Sequence, residues 1–339
     1  MSFLAEDSAV SKVLYYVQRF GDLNSQVIGA LSKVKSTKTI IDELRLKKKL
    51  FVSLSPRHRS LGLKYYIAYA IGNYNISLLN VYNILDEIPV VIARNIMNPK
   101  ELIIGLVYTT HPSFIRGLEA LVSAGVIKYY EVYEETQRLE YPIDYSSFDF
   151  KEWKYRNNFL VSEREPFDFP DLSDDFYPDT YDVTILGKKQ AHPTYSLKDI
   201  SQSTRIPFKD VLYHYQNHIV GKGLISVYRT YLFPIDYRIS IFFKDDKDLI
   251  SELSRIPTLL YISKSEEMDY AMIVGQNYML FDILNYLNSL SEKYTDISIK
   301  VHPNNSNYSL TASIPYEHFN GKWNFNPEVM VLRAEAANF

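Results

Sequence analysis

The sequence predicts an α+β protein built twice from the same pair of small modules. Three observations carry that reading. Leu-x-x-Ile-Pro followed by an apolar run occurs twice, in LDEIPVVIARN from Leu85 and in LSRIPTLLYIS from Leu253. Each copy lies within the order strand, helix, strand, strand, helix, strand. Each such unit is preceded by three short helical segments and a strand. A chain of 339 residues is long for one hydrophobic core, so duplication also fits its length.

In the first half, SAVSKVLYYVQRFG (8–21), LNSQVIGALSKV (23–34) and STKTIIDELRLKKK (36–49) have helical spacing, and LFVSLSP reads as a strand. Ser36 and Thr37 are placed to cap the third helix. KYYIAYAI (64–71) alternates like a strand, ISLLNVYNILDEI (76–88) is helical, and VVIARNI and ELIIGLVYTT are two further strands. PSFIRGLEALVSAG (112–125) opens with Pro at a helix start and stops at Gly125, before the strand VIKYYEV (126–132).

The second half repeats the order. YDVTILGKK (181–189), SLKDISQST (196–204) and PFKDVLYHYQNHIV (207–220) are helical, with Ser196 and Asp199 forming a capping box, and GLISVYRTYLF (223–233) is a strand. YRISIFF (237–243), KDLISELSRI (247–256), TLLYISK (258–264), YAMIVGQ (270–276), MLFDILNYLNSLSEK (279–293) and DISIKV (296–301) complete the unit. Pro89 and Pro257 are expected to end the first helix of each unit, because proline disfavours helix in its predecessor and donates no ladder bond. Three helices with a β-wing make a winged helix-turn-helix, and β-α-β-β-α-β makes a ferredoxin-like domain.

The resulting division is a winged helix over 1–60, a ferredoxin-like domain with an aromatic arm over 61–160, and an acidic linker over 161–178. A second winged helix covers 179–234, a second ferredoxin-like domain with its arm covers 235–325, and a tail covers 326–339. The arms YPIDYSSFDFKEW (141–153) and IPYEHFNGKW (314–323) contain both Trp of the chain, and each is expected to pack on its own half. A net charge of −3 conceals strong segregation. Ten Lys/Arg face two acids between Lys33 and Lys64, whereas eight acids face Arg164 between Glu163 and Asp182. The basic block predicts a local polyanion contact.

Absence of Cys excludes disulfides, thiol catalysis and Cys-ligated zinc. There is no apolar run long enough for a membrane span, and MSFLAEDSAV is acidic where a signal peptide is basic, so the expected location is the cytoplasm with no membrane partner. GKKQ, GKGL and GKWN complete no phosphate loop, no Gly-x-Ser-x-Gly elbow occurs, and no nucleophile is paired with a base.

The residues resemble the leucine-responsive regulator (Lrp/AsnC) family of transcription factors, in which a winged helix precedes a β-α-β-β-α-β regulatory (RAM-type) module. VSLSPRHRSLGLKYYIAYAI and VGKGLISVYRTYLFPIDYRISIFF are similar to the family's passage from wing to first regulatory strand, and Asp269-Tyr270 is similar to the pair that opens the module's third strand. The resemblance covers nearly all of the chain, twice, and implies DNA as the partner. It departs at NPKELIIGLV, where that Asp-Tyr belongs, and neither half has the Gly that usually precedes the pair. The family usually builds its symmetric platform from two chains, so this chain is expected to hold its own pseudo-dimer, with self-association through the ferredoxin-like domains still open. Siroheme decarboxylases share the tandem plan and would hold a tetrapyrrole in the regulatory modules. Their first module helix is typically followed by His-Pro, where this chain has Ile88-Pro89 and Ile256-Pro257. Use of the winged helices as a protein-interaction scaffold is the third reading.

Groove recognition needs cations for phosphates and short polar side chains on the outer face of a helix. On the first third helix, with Ile40, Ile41 and Leu44 inward, Thr37, Lys38, Asp42 and Arg45 are candidates, with Lys35, Lys47, Lys48 and Lys49 at its ends and Arg57, His58 and Arg59 beyond the wing. On the second, with Val211, Leu212, Tyr215 and Ile219 inward, the candidates are Arg205, Lys209, Tyr213, Gln216 and Asn217, with Lys222 and Arg229 on the wing. His214 and His218 are spaced to share a metal, but the sequence offers no obvious third ligand, and neither metal nor cofactor is expected.

Overall fold

A computed structural model describes residues 7–21, 25–47, 50–73, 75–168 and 176–337. The first winged helix comprises α1 (Asp7–Phe20), α2 (Ser25–Ser32), α3 (Thr37–Leu46) and the wing strand β1 (Phe51–Pro56). The first ferredoxin-like unit follows as β2 (Lys64–Gly72), α4 (Leu78–Ile84), β3 (Pro89–Arg94), β4 (Glu101–Tyr108), α5 (Ile115–Ser123) and β5 (Ile127–Glu134). Three short strands, β6 (Gln137–Glu140), β7 (Phe148–Asp149) and β8 (Lys154–Tyr155), belong to the first arm.

The second winged helix comprises α6 (Thr180–Ala191), α7 (Leu197–Thr204), α8 (Phe208–Tyr213) continued by a π-helical stretch (His214–Val220), and β9 (Ile225–Tyr231). The second ferredoxin-like unit runs β10 (Tyr237–Phe243), α9 (Lys247–Ser254), β11 (Leu259–Lys264), β12 (Asp269–Gly275), α10 (Asn277–Lys293) and β13 (Ser298–Pro303). The second arm carries β14 (Ser309–Thr311), and α11 (Pro327–Ala336) ends the described chain. The expected order is therefore present in both halves, and a helix occupies the segment for which the sequence predicts only a tail. Among the described residues no helix is long and apolar enough to cross a membrane.

The local stops differ from expectation in their cause. Helix α4 ends at Ile84 and is followed by two residues with positive φ, Asp86 and Glu87, so Pro89 opens the next strand after the stop has been made. Ser196 and Asp199 do form a reciprocal capping box on α7. Ser36 makes no side-chain cap on α3, and the Thr37 hydroxyl instead donates back to the Val34 carbonyl at 2.7 Å.

The two halves are interlocked. Wing strands β1 and β9 pair with each other, antiparallel from Phe51↔Tyr231 to Pro56↔Ile225. In each ferredoxin-like sheet the four strands take the same order, and a fifth is borrowed from the other half. The sheet β14-β3-β4-β2-β5 gains β14 from the second half, and β13-β10-β12-β11-β6 gains β6 from the first. Apolar residues of both sheets join in one core between the halves, where Tyr69 and Tyr133 meet Phe242 at ring distances of 6.2 and 6.1 Å. Glycines make room for two of its large rings. A Cβ on Gly105 would lie 2.1 Å from the Tyr65 hydroxyl, and one on Gly275 would lie 2.3 Å from that of Tyr237.

The arms depart from the sequence expectation, because both reach across to the opposite half. Trp323 Nε1 donates to the Leu61 carbonyl at 2.6 Å, Phe325 stacks on Tyr108 at 4.5 Å, and α11 presses Met330 onto Gly117 of α5. From the first arm, Tyr145 donates to the Thr230 carbonyl at 2.6 Å and Phe148 stacks on Phe233. The same arm also binds its own half, because Gln18 makes two hydrogen bonds to the Ile143 backbone. In the linker, Arg164 donates to carbonyls of Ser254, Ile256 and Pro142, which satisfies the backbone just before Pro257.

Where β6, β9 and the wings meet, Arg229 and Glu140 form an ion pair with side chains 4% and 3% exposed. Ser226 adds a donor to Glu140 at 3.1 Å, and Tyr141 offers Arg229 its carbonyl at 2.7 Å. A buried pair of this kind is costly to break from one side, because the remaining charge is stranded. Arg229→Met alone is expected to destabilise the chain by about 3–5 kcal/mol in urea unfolding. Arg229→Met with Glu140→Leu is expected to recover most of that loss.

Candidate nucleic-acid interface and the adjoining cleft

Helix α3 buries Ile40, Ile41 and Leu44 on one face. That spacing fixes the opposite face, so Lys38, Asp42 and Arg45 are exposed, with Lys35 and Lys47 exposed at the two ends. Lys48 and Lys49 lie outside the described residues. Thr37 is a correction. Its side chain is buried, with Oγ1 turned to Val34 and 3.5 Å from where a Cβ on Gly29 would sit, so it presents nothing to a groove.

On the second head Val211, Tyr215 and Ile219 are buried, and Arg205, Lys209, Tyr213, Gln216, Asn217 and Lys222 are exposed. Asn217 donates to the Tyr213 carbonyl at 3.0 Å, and the Lys222 ammonium lies 5.9 Å from the Phe176 ring centre. Phe208 is half exposed beside Lys209, so this head is more aromatic and less cationic than the first. Arg229 is the second correction. It lies on the strand that the other wing covers, and its guanidinium is committed to Glu140 and Tyr141.

Arg57 and Arg59 line a cleft of about 1290 Å³. Arg59 donates to the Glu135 and Thr136 carbonyls, and the Arg57 backbone N–H donates to the Leu224 carbonyl at 2.8 Å. The cleft is walled by residues 56–62, the β5–β6 turn, the linker on both sides of the undescribed stretch and the Trp323 arm. At its base the Arg138 guanidinium lies between the Tyr65 and Tyr261 rings, 4.3 and 4.2 Å from their centres, and pairs with Glu135 at 2.7 Å. His58 stacks on the other part of this group, 5.4 Å from Tyr65 and nearly parallel to it. Burial, reinforced by the Arg138 charge, pushes the His58 imidazole down to about 3. It is therefore a neutral donor and acceptor at physiological pH. Arg138, Tyr65 and Tyr261 had no motif to announce them, because they come from three separate strands or turns.

No family model matches the chain, and no curated protein matches it. Among solved structures, siroheme decarboxylase NirDL is similar at 10% identity and a TM-score of 0.48, covering 97% of each chain. The same decarboxylase in co-complex with an iron-uroporphyrin III analogue is similar at 12% identity and a TM-score of 0.49, over 91% of this chain and 95% of that one. The fold of the present chain stands on the strand order, register and exchanged strands described above.

The half-buried, desolvated His58 has a pH signature. Its folded value of about 3 lies below the unfolded 6.5, so between these limits the unfolded chain binds the extra proton and stability falls as pH falls. His302, fully buried against Ser240 and lowered to about 4 by desolvation, acts in the same direction. Urea midpoints are expected to drop between pH 7 and pH 4. His58→Phe, which keeps a ring on Tyr65, should flatten that drop; an unchanged profile would contradict a neutral His58.

Proposed function

We propose that this chain is a sequence-specific, double-stranded DNA-binding transcriptional regulator of Lrp/AsnC-like type, carrying two unlike reading heads in one polypeptide. The pairing of β1 with β9 supports this reading most strongly, since it joins the winged helices through an antiparallel ladder while α3 and α8 keep polar outer faces. The first head offers Lys35, Lys38, Arg45 and Lys47 to phosphate and base edges. Arg205, Lys209, Gln216 and Asn217 serve the second. Because the heads differ in charge and in aromatic content, the site read by one chain is asymmetric, and its two halves lie about one helical turn (~34 Å) or a multiple apart.

Lys38→Ala with Arg45→Ala is expected to weaken binding and to lower the slope of log K against log salt by about one for each phosphate that is no longer neutralised. Titrations on fragments of the neighbouring genome at several salt concentrations measure both quantities. An unchanged affinity and slope would remove α3 from the interface.

The cleft favours a second reading, that of a tetrapyrrole-handling enzyme. Its volume of about 1290 Å³ and its aromatic walls suit a large planar ring, and Arg57, Arg59 and Lys322 could meet carboxylates, although Glu135, Glu140, Glu165 and Asp168 share the lining and Glu135 holds Arg138. Adding an iron porphyrin with carboxylate side chains to the protein would, on this reading, produce a shifted visible absorption band that His58→Ala diminishes. An unshifted band would leave the cleft without that role.

A further inference from the structure

His214 and His218 lie one turn apart at the end of α8, where the helix widens into its π-helical stretch. Both rings turn inward toward the start of α6. Asp182, with 1% of its surface exposed, waits there: His214 Nδ1 is 2.9 Å and His218 Nδ1 is 3.1 Å from its Oδ1. Asp179 Oδ1 lies 3.7 Å from His214 Nδ1. One ligand atom from each of these four residues falls within 4.8 Å of all the others.

We infer that Asp179, Asp182, His214 and His218 bind one divalent transition-metal ion of the zinc class. Bonds of about 2.0–2.2 Å in a tetrahedral site place neighbouring ligand atoms about 3.3–3.5 Å apart. Three separations of 2.9, 3.1 and 3.7 Å bracket that edge and all four ligand atoms lie within 4.8 Å of one another, so the shell closes when the wider pairs contract toward it. Two imidazoles with two carboxylates favour zinc, cobalt or nickel over calcium or magnesium, which take oxygen-rich shells.

The surroundings orient the ligands. The two aspartates cap α6 reciprocally: Asp182 N–H donates to Asp179 Oδ1 at 2.9 Å, and Asp179 N–H donates to Asp182 Oδ2 at 3.0 Å. This leaves Asp182 Oδ1 directed at both histidines. Aromatic edges hold the rings, with Tyr181 and Tyr213 on His214 and Phe176 and Tyr213 on His218, at ring distances of 5.2–5.5 Å. Supporting shells of this kind commonly decide whether a ligand set binds tightly. An ion here would clamp the first helix of the second winged helix to its third. If α8 reads DNA, as proposed above, the same ion sets the attitude of the second head.

The test uses the full-length protein stripped with a chelator and then titrated with Co²⁺, in the absence of DNA. The expected result is the visible d–d spectrum of a four-coordinate site saturating at one equivalent, displaced by Zn²⁺, with thermal stability raised by either ion. His214→Gln with His218→Gln should abolish the spectrum, while His111→Gln, on an exposed loop, should leave it unchanged. Asp179→Asn preserves a capping oxygen, which protects the fold, and should weaken binding by about 10-fold or more. Without any d–d spectrum or stability shift in the unaltered protein, the four residues are a hydrogen-bonded clasp between helices and the inference falls. A spectrum that survives the double histidine substitution overturns it equally. Affinity for DNA with and without Zn²⁺ then tests the coupling separately, so its failure leaves the metal site standing.

Discussion

The pairing of the two wing strands is the constraint on which the molecule depends. A wing in a winged helix normally ends in an edge strand with unsatisfied backbone groups. Here β1 and β9 satisfy each other along their shared edge, while α1 and the first arm pack on β9, and six of its seven residues are buried. A strand closed in this way has no room for a free charge. Arg229 must be neutralised locally, and Glu140 of β6 supplies the partner while its own strand completes the opposite sheet.

That one junction propagates outward. Strand β6 runs into the first arm, whose Tyr145 and Phe148 reach the end of β9 and the segment after it, and the second arm returns the exchange through Trp323 and α11. Exchanged strands and arms give one chain the topology of a domain-swapped pair. The placement of the helical segments follows, since α1 and α6 each lie against the wing strand of the other half. The cleft is a second consequence: it opens where the linker and the second arm cross residues 56–62 without filling the space above Arg138.

Element order is readable from the residues because period-two strands, 3.6-period helices and the doubled Leu-x-x-Ile-Pro are local signals. Exchange is not. An aromatic segment such as YPIDYSSFDF states that it will be buried and not on which half. Arg229 is misplaced from sequence for a related reason, since VYRTY alternates as a half-exposed strand does and nothing local reveals a second covering layer. Thr37 looks available because a hydroxyl at a helix start usually caps forward, whereas it bonds back to Val34. The third ligand for His214 and His218 lies 32 residues upstream of His214, in a capping pair whose helical role is sufficient to explain it.

Footprinting of the intact chain on DNA, at one chain per duplex, is the most direct examination of the proposal that one polypeptide carries two rigidly joined and unlike reading heads. Two protected patches of different strength are expected on one face of the duplex, about one helical turn (~34 Å) or a multiple apart. A single patch, or two equal patches that form only when two chains are bound, would contradict that arrangement.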